Sequence, residues 1–270
     1  MNGVAFAVNL AATLAAALAV LVAAFAVGLR TGRHRGVDIA WGLGFAAVAL
    51  DGYGLSAGHG DAGRRALVTV LVVIWAVRLS AHIARRSRGA PEDPRYAAML
   101  AEAPAGGERW YALRKVYLLQ AGILWFVSLP VQAAQYLPDR LGPAAWAGTV
   151  LWAVGLFFEA VGDRQLARFK ADPTNRGRVM DRGLWRYTRH PNYFGDACVW
   201  WGLFLFAAQD PIGWAFLPSV LLMTWLLAYG SGKPLLERQM RESKPGWAAY
   251  AARTSGFFPL PPRRGPSRAG

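Results

Sequence analysis

Seven apolar stretches divide the 270-residue chain, at about residues 4–29, 37–55, 66–83, 116–137, 144–162, 192–208 and 212–230. Their length constrains the fold more than any other feature. Crossing the hydrocarbon core of a bilayer takes about 20 mostly apolar residues in a helix, and a soluble core does not need runs of that size. Lipid offers no hydrogen bonds to a backbone, so a spanning segment must satisfy its own, as a helix does. The expected fold class is therefore all-α: a polytopic membrane protein with seven transmembrane helices and a cytoplasmic amphipathic C-terminal helix over residues 234–252. The N-terminal stretch has no basic residue before it and is too long for a cleaved leader, so it is expected to be the first span.

Charge alternates between the connections. All but four of the 30 basic residues fall before span two, between spans three and four, between spans five and six, or after span seven. The exceptions are Arg64, Arg65 and Arg140 on the opposite side and Arg78 within span three. The positive-inside rule then places the N-terminus outside and the C-terminus in the cytoplasm, as expected for a bacterial inner-membrane protein. A net charge of +14 could suggest a nucleic-acid partner. Here the basic residues punctuate apolar spans rather than covering one soluble face, which argues against it. The twelve tryptophans fit interfacial belts better than base-stacking platforms.

One expected domain covers residues 1–258, with a substrate cavity in 1–137 and a nucleotide site in 144–258, followed by a disordered Pro- and Arg-rich tail over 259–270. Asp172-Pro173 should end the extension of span five, since proline cannot donate to a helix and displaces the residue before it. Gly58-His-Gly-Asp-Ala-Gly63 has the letters of a dinucleotide-binding loop but no strand before it, and reads as a turn. The four histidines and Cys198 do not cluster at zinc-ligand spacing, so no metal site is expected.

The chemistry concentrates between residues 159 and 196. Glu159 and Asp163 stand one helical turn apart on one face, as do Asn192 and Asp196 after Pro191, a residue suited to a first helical turn. Arg178, Arg182, Arg186 and Arg189 lie between the two pairs. Carboxylates accept from sugar hydroxyls and guanidinium forks match phosphate, so the combination suits a phosphorylated, sugar-bearing ligand. In the other half, Asp38 opens span two, where a carboxylate can serve as a helix cap. His82 lies four residues beyond Arg78 on one face of span three, a depth at which ionisable groups turn toward an interior.

Glu159-x-x-x-Asp163 and Gly183-Leu-Trp-x-x-x-Arg-His-Pro-Asn-Tyr-x-Gly-Asp196 together resemble the C-terminal half of the steroid 5α-reductase superfamily, in a bacterial branch catalogued as a domain of unknown function. Asp38-x-x-Trp41-Gly42, Arg78-Leu-Ser-x-His82, Arg85-Arg-x-Arg-Gly, Glu92-Asp-x-Arg-Tyr96, Pro234-Leu-Leu-Glu237 and Pro245-Gly-Trp-x-x-Tyr250 extend the likeness over most of the chain. The resemblance implies NADPH as cofactor, held on the cytoplasmic side by Glu159, Asp163, Lys170, Arg178, Asn192 and Asp196, with Arg182, Arg189, His190, Tyr193 and Glu237 in the same site. It also implies hydride transfer to the β-carbon of a lipid-like enone. The animal enzymes polarise the carbonyl with a Glu–Tyr pair. Span three here has no tyrosine, and Asp38 with His82 is the expected replacement.

Arg189-His-Pro-x-Tyr193 with Glu237 and Tyr250 is also similar to isoprenylcysteine carboxyl methyltransferases, which implies S-adenosylmethionine and a lipid-soluble acceptor as the alternative. A lipid-binding scaffold without chemistry is a third reading. No internal repeat supports a transporter.

Overall fold

The computed structural model describes residues 1–230 and 232–263, and among them it is helical with no strand. Residues 264–270 of the expected tail lie outside the described residues. Among the described residues four helices are long and apolar enough to cross a membrane, or five if one bent pair counts as a single span, which fits an integral membrane protein. The 19-residue α2 and the 17-residue α9, where two further spans were expected, are helical but fall outside that set. The chain divides into two compact units: residues 1–145 with 206–219, and residues 146–205 with 220–270.

In the first unit, α1 (Gly3–Thr31), α2 (Val37–Leu55) and α3 (Ala62–Ser87) follow one another, and α2 packs against both neighbours. Glycines make that closeness possible. A Cβ at Gly44 would meet the Leu124 side chain, and one at Gly42 would stand 2.9 Å from the Ala76 carbonyl oxygen. The connections are capped as the sequence chemistry dictates: Asn2 accepts from Ala5 N–H, Asp61 from Arg64 N–H and Asp93 from Arg95 N–H, the last opening the short α4 (Pro94–Ala101).

The expected fourth span, 116–137, is not one straight helix. α5 (Glu108–Ala112) runs through a π-helical turn (Leu113–Leu118) into α6 (Leu119–Val127), then breaks by about 40° into α7 (Leu129–Tyr136). Pro130 at the start of α7 explains the break, since it removes an amide donor and crowds the preceding turn.

The second unit is built on α8 (Pro143–Ala171) and α9 (Pro191–Ala207). Gly148, Gly155 and Gly162 recur at seven-residue intervals, hence on one face of α8. They meet α9 antiparallel. A Cβ at Gly195 would lie 2.5 Å from the Gly155 carbonyl oxygen, one at Gly202 2.6 Å from the Gly148 carbonyl oxygen, and one at Gly162 3.1 Å from the Pro191 ring. Small residues let backbones approach where lipid supplies no hydrophobic drive. α8 stops at Ala171, with Asp172 extended before Pro173, as its sequence requires.

After α10 (Leu217–Ala228), the C-terminal helix expected over 234–252 is two helices, α11 (Lys233–Ser243) and α12 (Trp247–Arg253). Pro245 separates them and leaves Lys244 extended at φ −129°, ψ 106°. Around residue 259, where the tail was expected to begin, the chain still makes backbone contacts. Thr188 pairs with Ser255 in an isolated parallel bridge, Leu260 N–H donates to Tyr187 O at 3.0 Å, and Arg263 N–H donates to Arg253 O at 2.9 Å.

Candidate functional site

The first unit gathers ionisable groups at the start of α2. Asp38 lies in the first turn, yet its carboxylate is engaged by α4 rather than serving as a cap: Tyr96 donates its hydroxyl to one oxygen at 2.5 Å, and Arg95 donates to the other at 2.8 Å. Arg95 also donates to both oxygens of Asp93 at 2.9 Å. The Gln120 amide donates to the Tyr96 hydroxyl oxygen at 3.4 Å, approaching it from α6. Burial and then the Asp38 charge hold the Tyr96 phenol well above its ordinary pKa. Burial alone would weaken Arg95 as a base, but its bonds to Asp93 and the Asp38 charge raise it instead. The cluster is thus a neutral phenol and a guanidinium sharing one carboxylate.

Neighbouring contacts position it. Glu92 accepts the backbone N–H groups of His34, of Arg35 at 2.9 Å and of Asp93 at 2.8 Å, tying the connection before α2 to the segment before α4. His34 Nδ1 and the Tyr117 hydroxyl share a hydrogen bond of 2.8 Å. Burial depresses the His34 pKa against the pull of Glu92. Trp41, Phe45 and Trp75 form an edge-to-face aromatic row, with ring centroids 5.3 and 5.4 Å apart, extending from Asp38 along α2. His82, the expected partner of Asp38, is half-buried on α3.

The second unit brings together part of the expected nucleotide set. Arg189 Nε and His190 Nε2 each lie 3.1 Å from Glu237 Oε1, and the His190 and Tyr193 rings stack with centroids 5.4 Å apart. Arg189 also donates to Ala251 O at 3.1 Å and lies over the Trp247 ring. Burial holds the His190 pKa below its ordinary value although Glu237 opposes the shift. Glu159 and Asp163 are buried on α8, Glu159 with its Cγ against Gly195. The Asn192 backbone nitrogen is close to Gly162, and Asp196 follows one turn later on α9. Lys170, Arg178 and Arg182 are exposed.

The stretch between α8 and α9 is held by contacts that sequence reading did not single out. Gln165 Oε1 accepts from Leu184 N–H at 2.9 Å, beneath Gly183, whose φ of 58° and closeness to the Gln165 amide both require glycine. Trp185 Nε1 donates to Gly162 O at 3.0 Å, and the Tyr250 hydroxyl donates to Trp185 O at 2.6 Å. Tyr96 was likewise visible only as the last letter of Glu92-Asp-x-Arg-Tyr96. Its spacing from Asp38 carried no signal because the pairing is tertiary.

Chemically, the second unit combines buried carboxylates, which can accept from hydroxyls, with exposed guanidinium and ammonium groups in the adjoining stretch, which can pair with phosphate.

The family described as "Protein of unknown function (DUF1295)" matches residues 24–254. An uncharacterized protein of Schizosaccharomyces pombe is 24% identical over 253 residues, covering 83% of this chain and 72% of its own. The 3-oxo-5-alpha-steroid 4-dehydrogenase 1 of Bos taurus is 31% identical over 86 residues, 32% of this chain and 33% of its own. No solved structure gives a significant match. The chain belongs to the DUF1295 family, which is part of the steroid 5-alpha-reductase-like group.

Proposed function

We propose that this protein is a seven-span membrane reductase, with its N-terminus outside, that uses NADPH to reduce an activated C=C bond of a lipid-like enone. The observation that carries the reading is the Tyr96–Asp38 hydrogen bond of 2.5 Å. It is an acid–tyrosine pair of the kind the resemblance calls for, reached through Tyr96 of α4 rather than a tyrosine in α3. The partial likeness to a bovine steroid dehydrogenase supports the same class.

In this reading Glu159, Asp163, Asn192 and Asp196 take the ribose hydroxyls, and Lys170, Arg178 and Arg182 take the phosphates. Arg189, His190, Tyr193 and Glu237 shape the same site. NADPH, when bound, supplies the hydride. Tyr96 stays protonated at neutral pH and turns its hydroxyl hydrogen from Asp38 to the enone oxygen. That hydrogen bond draws electron density from the β-carbon and stabilises the enolate that develops on reduction. Gln120 holds the phenol oxygen in place, Arg95 balances the Asp38 charge, and the Trp41–Phe45–Trp75 row gives an apolar wall. His82 remains assigned to the same catalytic group.

A thermal-shift panel on the purified protein tests this. NADPH should raise the melting temperature and S-adenosylmethionine should not. Stabilisation by S-adenosylmethionine alone would make the protein a methyltransferase, and stabilisation by neither would favour a scaffold.

A further inference from the structure

The chain is still tied down after α12. Arg189 N–H donates to Ser255 O at 2.9 Å, the Thr188 hydroxyl donates to Phe257 O at 2.8 Å, and Leu260 N–H donates to Tyr187 O at 3.0 Å. Residues 254–260 thus form a strap against the segment that leads into α9. Two neighbours on the strap have opposite surroundings. Phe257 is buried, whereas Phe258 is 63% exposed, and Leu260 beyond it is 55% exposed.

These exposed side chains continue a row of rings. Phe258 lies 6.1 Å from Phe194 between ring centroids, Phe194 lies 4.9 Å from Phe158, and Phe158 lies 5.9 Å from Phe157. Phe157 is 54% exposed on α8, one of the helices long and apolar enough to cross a membrane. The row therefore runs from the strap, past the first turn of α9, to the exposed face of α8. Tyr187 and its neighbour Arg186 are exposed, as is Arg263, three residues past Leu260.

Water is a poor neighbour for such a patch, and a bilayer edge is a good one. Aromatic rings flanked by basic residues suit the boundary between acyl chains and headgroups, with the guanidinium groups toward phosphate. The backbone suits it too, because lipid penalises unmet amide donors. Pro259, Pro261 and Pro262 have no N–H, and Leu260 gives its own to Tyr187. Continuity with the face of α8, where a spanning helix meets lipid, selects the bilayer over a second copy of the chain.

We propose that Phe258 and Leu260 insert into the acyl–headgroup boundary at the C-terminal end of α8, giving residues 254–260 a membrane attachment separate from the spans. Arg186 and Arg263 face the lipid phosphates. Because the strap bonds to Tyr187, Thr188 and Arg189, the bilayer would hold the approach to α9 by its backbone. The inference stands on the second unit alone and does not depend on the reductase reading.

Spin-label accessibility tests it on the full chain, with Cys198, the sole cysteine, replaced by serine. Nitroxides go on Phe258→Cys or Leu260→Cys, in nanodiscs of phosphatidylcholine and phosphatidylglycerol holding one copy each. Val154→Cys, on the exposed face of α8, is the lipid control, and Ala105→Cys, on an exposed connection, the water control. Labels at 258 and 260 should be relaxed more by oxygen, which enters lipid, than by a water-soluble nickel chelate, as at 154. Chelate-dominated relaxation, as at 105, would overturn the proposal. Shielding from both reagents would too, since protein would then cover the patch; shielding only in discs with two copies would identify a second chain as the occupant. Adding Phe258→Ser to the 260-labelled protein should shift that label toward the chelate. No shift would mean that the nitroxide itself seeks lipid, and the attachment would fail. If Phe258→Cys does not fold, the 260 label beside an intact Phe258 decides.

Discussion

Tyr96 and Asp38, 58 residues apart in the chain, meet at 2.5 Å between the phenol hydroxyl and a carboxylate oxygen, while Arg95 occupies the carboxylate's other oxygen. In the proposed reaction the phenol lends its hydrogen to the substrate oxygen. Tyr96→Phe keeps the ring and removes that hydrogen. Enone-dependent NADPH oxidation should fall by about 10²-fold or more, with NADPH still stabilising the protein against heat. Full activity in the variant would move the acid elsewhere, with His82 the next group to substitute.

Asp196 stands one turn after Asn192 on α9, and we propose that its carboxylate holds the nucleotide. Asp196→Ala should weaken NADPH binding by about tenfold, equivalent to roughly 1.4 kcal/mol, and leave the melting temperature of the ligand-free protein nearly unchanged. Calorimetry on the purified variant measures the first and a thermal melt the second. Unchanged affinity would mean that the carboxylate serves the helix alone.

The glycine seam of α8 and α9 should tolerate no side chain. Gly155→Leu drives a branched group into the backbone of Gly195 and should destabilise the protein by about 3 kcal/mol or more, at or beyond the upper end of ordinary overpacking. Ala153→Leu, on the exposed face of the same helix, should have little effect. Detergent melts of the two variants check the contrast.

Glu92 accepts three backbone N–H groups from two connections. Glu92→Gln keeps the shape, removes the charge and turns one acceptor into a donor. The expected loss is about 1.5–3 kcal/mol, the range for hydrogen bonds to a charged group. Hydrogen exchange should rise at His34, Arg35 and Asp93 together, since one carboxylate protects all three.

Acid should destabilise the fold through its buried imidazoles. Burial keeps His190 and His34 neutral below their ordinary pKa of 6.5. An unfolded chain binds protons at these positions near pH 6.5, and the folded chain resists them until the pH is lower. The stability they contribute is therefore complete above pH 6.5 and is lost as the pH falls below it. Melting temperatures between pH 8 and pH 5 should decline on the acid side, and His190→Gln should flatten that decline. An unchanged slope would show that His190 titrates as it does in the unfolded chain.

Much of the helical architecture was legible because it follows from apolar length and from proline. The α8 terminus at Ala171 is encoded in Asp172-Pro173, and α2 falls where its apolar run lies. Proline was under-read elsewhere: Pro130 bends one expected span and Pro245 splits one expected helix. The Tyr96–Asp38 pair was hidden because a tyrosine on a two-turn helix between spans has no periodicity to betray its partner. Gln120 and Gln165 were hidden because single amides inside apolar or basic stretches carry no pattern. The glycines of α8 were silent for a different reason, since hydropathy barely registers a missing side chain. What revealed them was the distance between two main chains.

That seam has a metrological consequence. Because carbonyl oxygens and α-carbons, not rotamers, set the gap between α8 and α9, the spacing from Glu159 on one helix to Asn192 on the other is gauged by covalent geometry. A ligand gripped by both faces meets a caliper with no adjustable jaw. Discrimination between similar ligands would then come from the arginine-bearing stretch between the helices, where substitution can retune charge without resetting the ruler.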